Sequence, residues 1–224
     1  MHIALIDTLI PHYCCSCGEI GRVLCDYCKY DIINEPFGRC VTCMRPTARR
    51  THLCGDCAQP YTQAWCVGER SGPLKDTINK YKFDSVRQAA AVLAELLDDV
   101  VPIFPHDICV VPVPTIATHA RQRGFDHIVR LAKRFAHIRG YAYQAPLHRT
   151  DKSHQQGSSR SERIRQAKRA FSCDSLDSSV HYLLIDDVYT TGATLHYAAK
   201  AMRDAGACSV YVAVISRQPL EKCE

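Results

Sequence analysis

The clearest chemistry in this sequence lies in four Cys-x-x-Cys pairs near its start. The pairs are Cys14/Cys17, Cys25/Cys28, Cys40/Cys43 and Cys54/Cys57. A turn of this kind directs two thiolates at one tetrahedral ion, and two such turns complete a four-sulfur zinc site. The four pairs therefore predict two structural Zn²⁺ sites. The simplest pairing joins the first two pairs and the last two, but the spacing leaves a crossed arrangement open.

A second pattern suits the binding of a phosphorylated sugar. An apolar strand ends in Asp186 and Asp187, and a short loop then leads into a helix. Backbone N–H groups at a helix start bind phosphate, and Gly192 allows a close approach. Further donors are the hydroxyls of Thr190, Thr191 and Thr194. Because the two acids would repel phosphate, we expect them to accept hydrogen bonds from sugar hydroxyls. An ordinary strand-to-helix turn with a threonine cap would explain the threonines but not the paired acids.

Beyond residue 66, helical and strand patterns alternate. Helical periodicity covers 74–83, 86–101, 118–138 and 193–205. Solid apolar runs predict strands at 108–111, 181–186 and 209–215. A turn is predicted at 68–73, and a mobile loop at 147–166, which has no apolar stripe. Such alternation with solid apolar strands is typical of a parallel α/β sheet.

The predicted organisation is a small cysteine-rich module at 1–60 followed by a larger domain at 66–220. The short apolar runs of the first segment cannot support a core without metal. The net charge of +5 is too small to decide the partner. No apolar run approaches the roughly 20 residues that a membrane span needs, and the start lacks the pattern of a secretion signal. We therefore expect a cytoplasmic protein with no membrane span.

Taken together, these motifs resemble the ComF family, a branch of the type I phosphoribosyltransferases linked to natural DNA transformation. The Asp-Asp loop is similar to the signature with which these proteins bind phosphoribosyl pyrophosphate (PRPP). Besides the cysteine pairs, the likeness is carried by Tyr81-Lys82-Phe83, Val111-Pro112-Val113-Pro114, Arg121-Gln122-Arg123-Gly124-Phe125, the loop with Arg149 and Gln155, Ser161-Glu162-Arg163 and Ala170-Phe171. The resemblance implies a parallel sheet of the type I phosphoribosyltransferase fold, preceded by a double zinc ribbon.

The same resemblance implies how PRPP binds together with Mg²⁺. Asp186 and Asp187 would hold the ribose 2′- and 3′-hydroxyls. The 5′-phosphate would lie on the loop formed by Thr190, Thr191, Gly192, Ala193 and Thr194. Diphosphate contacts are expected from Arg121, Arg123 and Lys82. The sequence departs from the family at Asp126, where Asn is usual, and at Ser158, where Leu is frequent. An acid near a diphosphate is unfavourable unless it faces Mg²⁺ or solvent.

Turnover of PRPP commonly involves an acidic residue that acts as a general base, and this sequence has no acid at the usual position. Many purine-salvage transferases carry an acid where Thr190 stands, and a threonine cannot act as that general base near neutral pH. Purine salvage is therefore disfavoured, and the catalytic residues stay unassigned. We expect either PRPP binding without turnover or transfer to an unidentified acceptor.

Basic and aromatic residues favour contact with single-stranded DNA. The candidate DNA contacts are Arg49, Arg50, Arg160, Arg163 and Arg165, and the candidate stacking residues are Tyr13, Tyr27, Tyr30 and Phe37. The ordinary alternative is a solvated charged face with aromatic core residues. The family resemblance implies handling of incoming single-stranded DNA, with a competence helicase or other DNA-processing proteins as partners. The alternative function is an active phosphoribosyltransferase with no direct DNA role.

Overall fold

The computed structural model describes residues 12–47, 51–83, 86–149 and 170–219. Its helices are α1 (Asp26–Asn34), α2 (Gly72–Phe83), α3 (Ala89–Val100), α4 (Ala117–Arg123), α5 (His127–Arg139) and α6 (Ala193–Asp204). Its strands are β1 (Gln63–Glu69), β2 (Ile108–Pro112), β3 (Ala142–Tyr143), β4 (Leu147–Arg149), β5 (Phe171–Cys173), β6 (His181–Tyr189) and β7 (Ser209–Arg217). None of the helices in these ranges has the length and apolar character needed to cross a membrane.

Five strands form one parallel sheet in the order β1-β7-β6-β2-β3. Within it, Ile185 of β6 lies between Pro112 of β2 and Ala213 of β7. The carboxyl ends of these three strands therefore meet at one edge of the sheet. Strands β4 and β5 form a separate antiparallel pair. Parallel strands are covered on both faces, which explains the solid apolar runs in the sequence. The predicted fold class, a parallel α/β sheet preceded by a cysteine-rich module, is confirmed.

Two cysteine modules, the first around Cys14, Cys17, Cys25 and Cys28 and the second around Cys40, Cys43, Cys54 and Cys57, pack against opposite faces of this sheet. On one face, Leu24 and Ile32 share a core with Trp65 and with α2, α3 and α5. On the other face, Phe37 and Val41 share a core with α6. Successive residues of a strand point to opposite faces, so both cores are built from the same strands. The sheet thus supplies the apolar contacts that a metal module lacks. The division into 1–60 and 66–220 stays a prediction.

Some predicted elements are wrong. Gly68 lies in the edge strand β1 and not in a turn, and a Cβ there would lie 3.1 Å from Leu74 Cδ2. The single helix predicted at 118–138 is two helices, because Gly124 takes a left-handed φ of 71° between them. Strand β6 continues to Tyr189, beyond its predicted end at 186. Residues 147–149 form β4 where a loop was predicted, and 150–166 lie outside the described residues.

Candidate functional site

A cavity of about 180 Å³ lies at the carboxyl ends of β2 and β6. Ligands of open α/β sheets bind at this edge, outside the strand ends. Several segments that are distant in sequence meet there, because the sheet order places β2 beside β6. The charged and titratable side chains of its lining are Lys82, Arg123, His127, Arg149, Asp186 and Asp187. The cavity therefore combines three permanent cations with the paired acids, a combination suited to a phosphorylated sugar.

Asp187 is buried, at 7% exposure, and is fully engaged by two neighbours. Its Oδ2 lies 2.6 Å from Lys82 Nζ and 2.6 Å from His127 Nε2. Burial by itself would raise the pKa of this carboxyl. The hydrogen bond from His127 and the positive charge of Lys82 outweigh burial and lower the pKa to about 2. Asp187 is therefore ionised at neutral pH, and its charge is already balanced within the protein.

The proton on His127 can be assigned from its two partners. The Arg123 guanidinium, which can only donate, lies 3.1 Å from His127 Nδ1. Nδ1 must then be the acceptor, so the proton sits on Nε2 and is donated to Asp187. The imidazole is 3% exposed at the first residue of α5. A chain of contacts therefore runs from Arg123 through His127 to Asp187 and Lys82, and it fixes these four side chains in the cavity wall.

Asp186 behaves in the opposite way. Its Oδ1 accepts a hydrogen bond from the backbone N–H of Asp187 at 2.9 Å. Burial, followed by the negative charge of Asp187, raises the pKa of Asp186 to about 8. At neutral pH the free protein therefore holds one ionised and one largely protonated carboxyl side by side. Asp186 is the member of the pair that can respond to a cation or to sugar hydroxyls.

The loop that follows β6 has the shape expected for anion binding. Gly192 takes a left-handed φ of 80° and is the N-cap residue of α6. Glycine offers no side chain to cap the helix, so N–H groups of the first turn are left for another acceptor. Thr190 and Thr191 are exposed, and Thr194 lines the cavity. The Ala193 N–H makes only a long contact, 3.4 Å, with Thr191 Oγ1.

Asp126 has a local role that the sequence comparison with the family did not indicate. Its Oδ1 accepts hydrogen bonds from the N–H groups of Ile128 and Val129, both at 3.0 Å, and so caps α5. Its Oδ2 accepts from the Thr115 hydroxyl at 2.6 Å. The carboxylate therefore serves the start of α5, and whether it also faces Mg²⁺ stays a prediction.

The eight paired cysteines form two separate groups in sequential order. Cys14, Cys17, Cys25 and Cys28 make up one group, and Cys40, Cys43, Cys54 and Cys57 the other, with the sulfurs of each group within 4.8 Å of one another. The two groups repeat the same local structure. The Cys25 N–H approaches the Cys14 sulfur at 3.5 Å, and the Cys54 N–H approaches the Cys40 sulfur at 3.4 Å. Of the two arrangements that spacing left open, the crossed one is excluded.

Both groups fit a divalent metal. Burial opposes ionisation of Cys14 and Cys40, but hydrogen bonds from backbone N–H groups lower the pKa of each thiol to about 6. Burial and the neighbouring sulfurs raise the pKa of Cys28 and of Cys57 far above the usual thiol value. Four thiolates so close together need a cation between them. Each group could hold a Zn²⁺ ion in the closed tetrahedral site that serves structure.

Comparison with known proteins yields relatives that extend over most of the chain. No protein-family model matches it. The chain is 26% identical over 219 residues to the DNA utilization protein YhgH of Salmonella typhi, covering 87% of this chain and 96% of that protein. It is 29% identical over 199 residues to the competence protein ComFC of Streptococcus pneumoniae, covering 84% of each. ComFC of Bacillus subtilis is 25% identical over 182 residues, covering 75% of this chain and 72% of that protein.

The chain is thus similar over most of its length to competence proteins named ComFC and to DNA utilization proteins. Solved structures similar to this chain include an allosteric regulatory enzyme of purine biosynthesis, with a TM-score of 0.42 and 19% identity, and the glutamine PRPP amidotransferase of B. subtilis, with 0.41 and 18%. The match covers 58% of this chain and 26% of each enzyme, so it spans about a quarter of their length. A hypoxanthine phosphoribosyl transferase of Trypanosoma cruzi matches 58% of this chain with a TM-score of 0.33 and 14% identity.

The structure brings some of the predicted PRPP residues together in the cavity and leaves others outside it. Lys82, Arg123, Asp186, Asp187 and Thr194 line the cavity together. Arg121 is exposed in the last turn of α4 and is not part of that lining. Two lining residues, His127 and Arg149, were not among the predicted site residues. His127 directly follows the capping Asp126, but its sequence position gives no sign of a contact with residue 187.

The candidate DNA contacts lie only partly within the described residues. Arg49, Arg50, Arg160, Arg163 and Arg165 all lie outside the described residues. Among the aromatic candidates, Tyr13, Tyr27 and Tyr30 are 57%, 72% and 61% exposed. Phe37 is 5% exposed in the core beside α6. The prediction of Phe37 as a stacking residue is therefore wrong, because the side chain is used to pack the second cysteine module.

A larger cleft, of about 870 Å³, lies at the end of β1 between the two cysteine modules. Among the described residues of its lining are the acidic residues Asp31, Glu35 and Glu69 and one permanent cation, Arg39. Such an acidic cleft disfavours a phosphorylated ligand inside it. The smaller, cation-lined cavity is therefore the better candidate for a phosphorylated ligand.

Proposed function

We propose that this chain is a protein of the ComF type, which binds PRPP at the carboxyl edge of its sheet and acts in the uptake and handling of single-stranded DNA during natural transformation. The observation that carries the PRPP part is the cavity in which Lys82, Arg123 and Arg149 meet the Asp186–Asp187 pair. The DNA part is supported by the names of the relatives, which are a DNA utilization protein and competence proteins.

Each part of PRPP has a suitable partner in the cavity. The 5′-phosphate suits the start of α6, where Gly192 allows approach and Thr194 offers a hydroxyl. The diphosphate suits Arg123 and Arg149, whose guanidinium groups form paired hydrogen bonds with phosphate oxygens. The ribose hydroxyls suit Asp186, because the charge of Asp187 is already balanced by Lys82. Lys82 accordingly acts on the ligand through Asp187 in this proposal, and Arg121 has no role in it.

The residues of the cavity also fit a Mg²⁺ ion that arrives with PRPP. Mg²⁺ in phosphate sites is bound through one or two carboxylates together with phosphate oxygens and water. Asp186 is the carboxyl that would face it, because a nearby cation favours the ionised form of a group whose pKa is raised to about 8. When bound, the ion would neutralise charge on the diphosphate. The other candidate oxygen, Asp187 Oδ2, already contacts Lys82 and His127.

The DNA part of the proposal rests on the first cysteine module. Tyr27 and Tyr30 are three residues apart on α1, so both project from the same side of that helix. Exposed tyrosines stack on nucleic acid bases without regard to sequence. Arg22 on the same module is exposed as well, although it pairs with Asp26. The proposal is therefore a PRPP-binding body that carries a DNA-contacting module.

The second candidate function is phosphoribosyl transfer to an acceptor. It is favoured by the exposed position of Thr190 next to the cavity loop, which leaves that side open to a second substrate. Because threonine does not act as a base near neutral pH, the acceptor would have to be nucleophilic without help from this residue. The purified protein would then release pyrophosphate from PRPP when the right acceptor is supplied.

Calorimetric titration tests the proposal and separates its two parts. Wild-type protein should bind PRPP in the presence of Mg²⁺, and Arg123→Gln should weaken this binding. Arg203→Gln, in the last turn of α6, should not weaken it. An oligonucleotide of deoxythymidines should bind with an affinity that falls with salt. Tyr27→Ala/Tyr30→Ala should weaken that binding, and Ile103→Ala, which removes another exposed apolar side chain, should not. If the wild type does not bind PRPP, the PRPP part of the proposal is wrong. If Tyr27→Ala/Tyr30→Ala binds DNA as tightly as Ile103→Ala does, the DNA part is wrong.

A further inference from the structure

The second cysteine module contacts the start of the phosphate loop, residues 190–194, through a pair of hydroxyls. Thr42 lies inside the turn from Cys40 to Cys43, which we call the knuckle. Tyr189 is the last residue of β6, directly before the phosphate loop. Thr42 Oγ1 and Tyr189 Oη are 3.1 Å apart and share a hydrogen bond. Tyr189 is only 2% exposed, and its hydroxyl has a second contact, at 3.4 Å, with that of Tyr61. The knuckle is therefore in direct contact with the residue from which the loop starts.

The same tyrosine supports the loop at its glycine. A Cβ on Gly192 would lie 2.1 Å from Tyr189 Oη and 2.4 Å from Tyr189 Cζ. The end of the phenol ring thus lies against the backbone where the loop turns into α6. The ring therefore packs closely against Gly192, and its hydroxyl shares a hydrogen bond with Thr42.

A buried arginine makes a second connection between the knuckle and the loop. Arg217 is 2% exposed, its Nε donates to the Val41 carbonyl at 2.6 Å, and a terminal nitrogen donates to the Tyr189 carbonyl at 3.3 Å. Among the residues that the structure describes, no carboxylate lies within ion-pair distance of it. A buried cation requires nearby negative charge. Four thiolates around one Zn²⁺ carry a net charge of −2, and Val41 is the neighbour of the ligand Cys40.

The first cysteine module contacts a different part of the domain. It bonds to helices on the other face of the sheet, from Ser16 Oγ to Asp76 at 3.1 Å and from Lys29 Nζ to Glu95 at 3.5 Å. Asp76 belongs to α2 and Glu95 to α3. The two modules therefore have the same kind of cysteine group but contact different elements of the domain. Variants of the first module can serve as controls for variants of the second.

We propose that the second cysteine site, and not the first, positions the phosphate loop, with Thr42 and Tyr189 as the positioning residues. This inference rests on the proposed function, because it assigns a structural control to the same anion site. Metal at the second site fixes the knuckle, the knuckle fixes the Tyr189 ring, and the ring fixes Gly192. Loss of this chain of contacts leaves the N–H groups of the loop free to move away from the phosphate geometry.

The test compares matched variants of the intact protein. Thr42→Val removes the hydroxyl at nearly equal volume, Thr42→Ser retains a hydroxyl, and Ser16→Ala removes the corresponding contact of the first module. Thr42→Val should weaken PRPP binding in the presence of Mg²⁺ by about threefold to tenfold, the value of one hydrogen bond. Its zinc content should stay at that of the wild type. Thr42→Ser should restore binding, and Ser16→Ala should bind as the wild type does.

Hydrogen–deuterium exchange of the ligand-free protein separates this inference from the proposed function. Thr42→Val should speed amide exchange in the segment 189–195, and Ser16→Ala should not. If the wild type fails to bind PRPP while Thr42→Val still loosens that segment, the proposed function fails and the coupling stands. If Thr42→Val changes neither exchange nor binding, or if Ser16→Ala changes both equally, the coupling is wrong.

Removal of a metal ligand extends the same comparison. Cys43→Ser should lose zinc from the second site and weaken PRPP binding more than Thr42→Val does. Cys17→Ser should lose zinc from the first site and leave PRPP affinity within about twofold of the wild type, the scale of contacts that do not reach the site. Equal losses of affinity in the two variants would overturn the assignment of the second site to the loop.

Discussion

Lys82 Nζ lies 2.6 Å from Asp187 Oδ2, and the two side chains are 16% and 10% exposed. This pair joins the end of α2 to the end of β6 across the cavity floor. Breaking a buried ion pair from one side leaves an uncompensated charge, which costs more than the pair itself contributes. The pair therefore matters both for the stability of the fold and for the state in which Asp187 meets a ligand.

Replacement of Lys82 by methionine should destabilise the protein by about 3 kcal/mol, because Asp187 then stays buried with only His127 as a partner. Urea unfolding at neutral pH measures the loss. The double variant Lys82→Met/Asp187→Asn should recover part of it, since it removes the unpaired charge. Lys200→Met breaks an exposed pair with Asp204 and should change stability by no more than about 0.5 kcal/mol. A Lys82→Met protein as stable as the Lys200 variant would contradict the buried character of the pair.

The raised pKa of Asp186 predicts the pH dependence of ligand binding. The free protein keeps this carboxyl protonated up to about pH 8, and a ligand that needs the ionised form must release the proton. Affinity for PRPP with Mg²⁺ should therefore rise between pH 6 and 8 and level off above the pKa. Calorimetry in buffers of different ionisation enthalpy should detect the released proton. Asp186→Asn should bind more weakly and lose the pH dependence that comes from Asp186. Comparison of the two proteins corrects for the titration of PRPP itself.

The raised pKa of Asp186 also affects the stability of the fold, but here the contribution falls as pH rises. Because the pKa of Asp186 is higher in the folded protein than its ordinary value of 3.8, the folded state binds more protons than the unfolded state between about pH 4 and 8. This group therefore contributes less to stability as pH rises through that window. Asp186→Asn should be less sensitive to pH there in urea unfolding. Parallel curves for the two proteins would contradict the raised pKa.

Gly192 should not tolerate a side chain. Gly192→Ala combines a left-handed φ of 80° with a Cβ that would overlap the Tyr189 hydroxyl, so it should cost at least about 2 kcal/mol and displace the loop. Gly140→Ala is the matched control, since its φ is 66° and no atom lies within 4 Å of the added Cβ. It should cost about 1 kcal/mol and leave PRPP affinity unchanged. Equal affinity in both variants would show that the position of Gly192 is irrelevant to the ligand.

The sequential zinc pairing can be tested by removing whole groups. The variant with serine at Cys14, Cys17, Cys25 and Cys28 should retain one tightly bound zinc, because the other group stays complete. A crossed arrangement would leave two half-sites in this variant and therefore no tight zinc. Metal analysis after dialysis against a chelator distinguishes the outcomes, with two zinc ions per chain expected for the wild type.

Local patterns in the sequence predict much of the fold and part of the site. The apolar runs at β2, β6 and β7 identify the central strands, because a parallel strand that is buried on both faces must be apolar at every position. The edge strand β1 was not predicted from the sequence. It contains Gly68, a residue type that is common in turns, and only the structure shows that Leu74 packs against it.

The part of the site that the sequence did not predict depends on contacts between distant residues. Lys82, His127 and Asp187 are separated by dozens of residues and meet only because the sheet order brings α2, α5 and β6 together. The lowered pKa of Asp187 follows from those partners, whereas burial and the charge of Asp187 raise the pKa of Asp186, so adjacency in sequence could not indicate which acid stays ionised. The contact between Thr42 and Tyr189 likewise requires knowledge of the face on which each cysteine module packs.

Asp126 gives a final test of a residue that differs from the usual family pattern. Its carboxylate caps α5 and accepts the Thr115 hydroxyl, so Asp126→Ala should destabilise the protein by about 1 kcal/mol or more. Asp126→Asn keeps an acceptor for the N–H groups of Ile128 and Val129 and should cost less than about 0.5 kcal/mol, because Asn and Asp are similar N-cap residues. Urea unfolding compares the two. Since His127 follows the cap directly, the alanine variant should also weaken PRPP binding while the asparagine variant should not. If asparagine were as damaging as alanine, the negative charge at this position would have a role beyond capping, and the substitution of Asp for Asn would bear on the ligand after all.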